Sequence, residues 1–208
     1  MDAVIFDLDG VLIDSEQVWD EVRQSFAAAH GGVWTATATR DMQGMSTPEW
    51  GAHLVSLGVR LTPAEASAGV IAEMEKAYAE HLPVIPGAVD AVRAVSERFS
   101  VAIASSAPAV LIRVFLDVTG LPVPVAVSSE SCAAGKPSPD VYLAAASQLG
   151  VEAASCYAVE DSTNGLKAAL AAGMTVLAVP NPHFPPAGDV LAQVRVLGSI
   201  GELPDALA

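Results

Sequence analysis

Basic charge is scarce in this sequence. Ten Lys and Arg stand against 24 Asp and Glu, a formal net charge of −14 over 208 residues. Nucleic acid and anionic membrane surfaces both require clustered positive charge, so neither is expected as a partner. Cysteine is scarcer still. Cys132 and Cys156 are too few for a disulfide framework and lack metal-ligand spacing, which predicts two packing residues and a reducing, cytoplasmic setting. Apolar runs are broken by Gly or Pro well before membrane-spanning length. There is no basic leader and no small-residue cleavage site ahead of the strand-like run at 3 to 6, so export is not expected. With 52% hydrophobic and only 16% charged residues, disorder is excluded and a globular, soluble protein is expected, which we take to be a monomer. The acidic balance still leaves room for a small phosphate ligand, because a divalent cation, one placed Lys and helix N-termini can reverse the potential locally.

What is present is an alternation of elements. From residue 84 onward short apolar runs alternate with helical patterns, the mark of βα units around a parallel sheet. Strands are expected at 3 to 7, 100 to 105, 123 to 128, 155 to 160 and 175 to 179, with a short last one near 194 to 197. Val89, Val92 and Val95 mark one helix; Val110, Leu111, Val114, Phe115 and Val118 a second; Leu166, Ala169 and Leu170 a third. Gly120, Gly150 and Gly173 stand where helices should end. The fold class is therefore α/β, a doubly wound parallel sheet.

Residues 15 to 82 interrupt this alternation with helical periodicity and no strand. Val18, Trp19, Val22 and Phe26 form a stripe, Thr47-Pro48 opens a second helix, and Thr62-Pro63-Ala64-Glu65 is a capping box opening a third. The expected organisation is a catalytic α/β core from 1–14 and 83–208, with an all-helical domain inserted at 15–82.

In an open parallel sheet, ligands bind beyond the carboxyl ends of the strands. The first expected strand runs into Asp7-Leu8-Asp9-Gly10, the second into Ser105-Ser106, and the fourth into Glu160-Asp161-Ser162, while Lys136 follows the third in GKPSPD. Each has an ordinary structural explanation alone: Asp-Gly makes turns, Ser105 and Ser162 can cap helices, and Lys136 can be a solvated loop residue. Their conjunction at successive strand ends supplies what is needed to hold a hard cation and a phosphoryl group together.

These segments carry a resemblance. AVIFDLDGVLIDSE, ASS, GKPSPD and VEDSTNG, in this order, resemble the four motifs of the haloacid dehalogenase superfamily, and the helical insertion resembles its small cap domain. The resemblance implies a Rossmann-like core and a phosphatase working on a small phosphate ester. It implies Asp7 as nucleophile, ionised at neutral pH on its reference value of about 3.9, and Asp9 as general acid and base. Mg2+ would be held by Asp7, the main-chain carbonyl of Asp9, and Asp161, with Glu160 as a supporting partner. Lys136, Ser105 and the amides near Ser106 would bind the phosphate. Asp9 separates the chain from the dehalogenase branch, which lacks the second acid.

The wording IDSEQVW, carrying Trp19, and VEDSTNG followed by VPNPHF resembles hexose and hexitol phosphatases, which implies a sugar or sugar-alcohol phosphate as substrate. The alternative is a β-phosphoglucomutase-like isomerase. In that group the loop resembling Gln43-Gly44-Met45-Ser46 continues with an Arg, whereas Thr47 follows here. A response-regulator receiver is a further alternative, disfavoured by the helical insertion after the first strand. His53, His81 and His183 are expected at the surface.

Overall fold

The computed structural model describes residues 1–42, 45–181 and 185–208. In chain order β1 (Ala3–Phe6) is followed by α1 (Glu16–Ala29), α2 (Ala38–Asp41), α3 (Thr47–Ser56) and α4 (Pro63–Glu80). Then come α5 (Ala88–Ser96), β2 (Ser100–Ser105), α6 (Ala109–Thr119), β3 (Val125–Ser128), α7 (Asp140–Leu149) and β4 (Cys156–Glu160). The chain finishes with α8 (Thr163–Ala171), β5 (Thr175–Ala178), α9 (Gly188–Leu191), β6 (Arg195–Val196) and α10 (Leu203–Ala206). Two compact units result, one of Met1–Asp14 with Leu82–Ala208 and one of Ser15–His81.

In the first unit six strands form one sheet in the order β3-β2-β1-β4-β5-β6, with every neighbouring pair parallel. β1 takes the middle because its run AVIF is apolar throughout: all four residues are fully buried, as a strand covered on both faces requires. From β1 the chain builds outward through β2 to β3, then crosses to β4 and continues to β6. The strand order thus reverses at β1, which makes its carboxyl end the crevice of the sheet.

Small differences from the sequence expectations have local causes. Asp7 lies one residue beyond β1, its N–H donating to Val159 O at 2.9 Å. β3 starts at Val125 rather than 123, since Pro124 has no N–H to give a ladder. After GKPSPD, α7 begins at Asp140 behind Pro139, and Ser138 Oγ donates to the Asp140 carboxylate at 2.8 Å. In α6 the buried residues are Leu111, Ile112 and Phe115, while Val118 in the last turn is exposed. Gly120 and Gly150 do end their helices in the left-handed region, and Gly173 follows the C-cap Ala172 in the same conformation.

The helical unit is held by two capping boxes. Thr62 Oγ1 accepts the Glu65 N–H at 3.3 Å and the Glu65 carboxylate accepts the Thr62 N–H at 2.9 Å, with Pro63 opening α4 where no donor is needed. Ser46 and Glu49 repeat this at α3. α3 and α4 approach closely because position 51 is Gly: a β-carbon there would lie 2.7 Å from Pro63 O and collide with Ser67 Oγ. The stripe expected on α1 is only partly realised. Phe26 is buried, but Trp19 is half-buried and meets Trp50 edge-on at 6.1 Å, with the Arg23 guanidinium 4.6 Å from the first ring and 5.0 Å from the second. His81 is exposed, but His53 is half-buried with its Nε2 enclosed, contrary to expectation. Gln43, Gly44 and His183 lie outside the described residues.

Candidate active site

Parallel pairing sets Phe6 level with both Ile103 of β2 and Val159 of β4. Asp7, Ser105 and the pair Glu160-Asp161 therefore leave one edge of the sheet together. Lys136 joins them from the segment between β3 and α7. Its Nζ donates to Glu160 Oε1 at 2.7 Å, Asp7 Oδ1 at 2.8 Å and Ala104 O at 3.0 Å. An ammonium has three protons, and all three are used.

Glu160 is fully buried, and its acceptor sites are all but filled. Oε1 accepts from Lys136 and from the Tyr142 hydroxyl at 2.9 Å. Oε2 accepts from the N–H groups of Asp161 at 2.9 Å and Ser162 at 3.1 Å, and from Ser162 Oγ at 3.1 Å. Gly165, in the first turn of α8, gives this carboxylate its room, for a β-carbon there would overlap it.

Asp161 is different. It is buried, and no Lys, Arg or His among the described residues lies within ion-pair distance of it. Its carboxylate rests against Gly10. Gly10 has φ +81° and belongs to a tight loop in which Leu8 O accepts the N–H groups of Leu12 at 2.8 Å and Ile13 at 3.1 Å. Asp9 is half-buried in the same loop.

The electrostatics follow from this crowding. Burial pushes the Asp7 carboxyl well above the usual carboxylate range, with Glu160 and Asp9 adding to the rise and Lys136 opposing it. Asp161 is pushed up by burial, then by Glu160 and Asp7. Burial alone would lower Lys136, but the carboxylates of Asp7 and Glu160 raise it above its ordinary value. The shifts on Asp7 and Lys136 oppose each other across one 2.8 Å contact. Lys136 is the firmer of the two, because two carboxylates hold its proton while one ammonium must serve three. Asp7 is thus raised by its burial and by the neighbouring carboxylates, with Lys136 as the positive charge that opposes the rise.

The geometry of the acids bears on a cation. Asp7, Glu160 and Asp161 can each offer an oxygen within 4.8 Å of the others, an all-oxygen set suited to a hard divalent ion. Glu160 is committed elsewhere, so Asp7 and Asp161 are the side chains that fit such an ion.

Ser105 is fully buried at the end of β2, and its Oγ accepts the Ala107 N–H at 3.0 Å. Ser128 Oγ donates to Ala107 O at 2.7 Å, so two serines pin this loop from both sides. Ser106 is exposed beside it. α6 has Pro108 as its N-cap, so Ser105 is not a helix cap. Two site residues escape a reading of the sequence. Ser128 looks like a strand end, and Tyr142 sits on the buried face of α7 among Val141, Ala145 and Ala146, where an aromatic reads as core.

Fold and cluster together define an α/β enzyme whose chemistry lies at the carboxyl edge of a parallel sheet. A family model described as haloacid dehalogenase-like hydrolase matches residues 1–173. The chain is similar to hexitol phosphatase B of Escherichia coli (strain K12), at 34% identity over 97% of this chain and 93% of that protein. It is also similar to a phosphorylated carbohydrates phosphatase of Thermotoga maritima, at 32% identity over 84% of this chain and 82% of that protein. The crystal structure of CbbY from Rhodobacter sphaeroides in complex with phosphate superposes with a TM-score of 0.86 at 25% identity, covering 98% of this chain and 96% of that one. The chain belongs to the haloacid dehalogenase-like hydrolases, and it is an enzyme of their phosphatase kind. No helix among the described residues is long and apolar enough to cross a membrane.

Proposed function

We propose that the protein hydrolyses a sugar or sugar-alcohol phosphate through an aspartyl-phosphate on Asp7, with Mg2+ as cofactor. The observation that carries this reading is the Lys136 ammonium set between Asp7 and Glu160, beside an Asp161 carboxylate with no ion-pair partner among the described residues. The substrate class is supported by the hexitol and phosphorylated-carbohydrate phosphatases the chain resembles over most of its length.

A carboxylate of Asp7 attacks phosphorus, a new P–O bond forms, and the bond to the substrate's ester oxygen breaks. Asp9, two residues on in the same loop, gives its proton to the departing alkoxide. It then takes a proton from the water that attacks the acyl phosphate, which frees inorganic phosphate and returns Asp7. Lys136 offsets the repulsion between Asp7 and an incoming dianion. Ser105 Oγ, which already accepts from Ala107, retains its own proton to donate, and Ser106 is the exposed residue next to it. Mg2+ held by Asp7, the Asp9 carbonyl and Asp161 would neutralise phosphate charge and let Asp7 stay ionised.

The test is phosphate release across a panel of hexose and hexitol phosphates, with isomerisation of β-glucose 1-phosphate assayed alongside. Asp7→Asn should fall to near background, because uncatalysed monoester hydrolysis is among the slowest known reactions. Substantial release by that variant, with deamidation ruled out, would overturn the covalent route. Isomerisation with little release would replace the phosphatase by a mutase.

A further inference from the structure

We infer that Tyr142 is a positioning residue for phosphoryl transfer, acting through Glu160 on the ammonium of Lys136. The inference rests on the phosphatase reading above, in which Lys136 meets the phosphoryl group. Tyr142 touches both members of the pair it would control. Its hydroxyl donates to Glu160 Oε1, the same oxygen that accepts from Lys136, and the Lys136 Nζ lies 5.0 Å from the centre of its ring. The side chain is fully buried on α7, so the contact is not a chance surface geometry.

Sharing one carboxylate oxygen has a consequence. Oε2 is already occupied by two N–H groups and the Ser162 hydroxyl, so Glu160 cannot turn, and its remaining attraction is divided at Oε1 between an ammonium and a phenol. The phenol draws negative charge away from Lys136 while fixing the distance at which the ammonium sits. Lys136 is thereby held in place but not sequestered, and it can turn toward a phosphate without breaking an undivided ion pair. The hydroxyl is a dependable donor, because burial and the Glu160 charge keep it protonated far above the ordinary tyrosine range.

Tyr142→Phe keeps the ring and removes only the divided bond. It should raise KM and the inhibition constant of inorganic phosphate, and lower kcat/KM by about tenfold, the loss expected when a hydrogen bond to a charged group goes. Replacement of Tyr142 by 3-fluorotyrosine keeps shape and hydroxyl but strengthens the donor, and should shift phosphate inhibition in the opposite sense. The effect should vanish in a Glu160→Gln background, since the hydroxyl then has no charge to divide. A lower melting temperature with kcat, KM and phosphate inhibition unchanged would reduce Tyr142 to a core residue and overturn the inference. Fluorotyrosine leaving phosphate inhibition unmoved would do the same, whether or not the Phe variant folds. A wild-type protein releasing no phosphate would instead defeat the underlying phosphatase reading.

Discussion

Gly10 and Asp161 are in contact across the site, so close that a single methyl group on Gly10 would occupy the space of the Asp161 carboxylate. The loop after β1 and the end of β4 are therefore matched in shape as well as in charge. Gly10→Ala should disturb both, since its φ of +81° is also costly for any residue with a β-carbon. Turnover should fall at least about tenfold if Asp161 moves by even an ångström, and stabilisation by Mg2+ should shrink with it. Calorimetry with and without Mg2+ checks this, and a full Mg2+ response in Gly10→Ala would show that the contact is incidental.

The raised carboxyls of Asp7 and Asp161 make stability depend on pH. A folded-state value above the unfolded one means that the stabilisation is complete below the unfolded value of about 3.9. It is lost as pH rises through the folded values of about 7 for Asp7 and about 9 for Asp161. Metal-free protein should thus weaken from mildly acidic to alkaline pH, and protons should compete with Mg2+ in the same range. The gain in melting temperature on adding Mg2+ should be larger in alkaline than in mildly acidic buffer. Equal gains in both would refute the competition.

Lys136→Met removes the ammonium of the cluster at nearly constant volume. Turnover should vanish, and the carboxylates left behind should cost about 3–5 kcal/mol at neutral pH, the usual penalty for orphaning a buried charge. Lowering the pH should recover part of that loss by protonating them. Urea unfolding at several pH values measures both, and a variant as stable as wild type at neutral pH would contradict the charge balance described here.

Thr62→Ala, in the helical unit, should cost about 1 kcal/mol by removing the acceptor for the Glu65 N–H at the start of α4. Phosphate release by the folded fraction should be unchanged. Glu65 is held below its ordinary value first by the Thr62 N–H, which the substitution keeps. The stability it contributes is present above the unfolded carboxyl value and lost on acidification through the lower folded one, so this acid limb should survive in Thr62→Ala and flatten in Glu65→Gln.

Much of this was open to a reader of the sequence, for definite reasons. AVIF ends abruptly at Asp7 and CYAVE ends at Asp161, and an apolar run ending in carboxylates is legible without coordinates. The capping box at Thr62 was equally plain, because its residues are four neighbours in sequence. The division of labour between Glu160 and Asp161 was not legible. The two are adjacent, and what commits one of them to Lys136 is a set of hydrogen bonds from backbone groups that exist only once β4 turns into α8. Tyr142 was hidden because VYLAA reads as a core face, and its hydroxyl matters only through a residue eighteen positions away. The upward push on the Asp7 carboxyl was not legible either, because burial is a property of the fold, not of the residue.

The central place of β1 also bears on synthesis. Its partners in the sheet begin at Ser100 and Cys156, so β1 is made well before either of them. At translation rates of about 5–20 residues per second, β1 waits on the order of ten seconds on the ribosome before β4 emerges. Until β2 emerges, four wholly apolar residues have no ladder to join, and until β4 emerges one of their edges stays open. Asp2 before them, and Asp7 and Asp9 after them, place like charges at both ends of the exposed strand, where they repel a second nascent chain. The acids that line the finished site would thus guard the same strand against aggregation before the site exists.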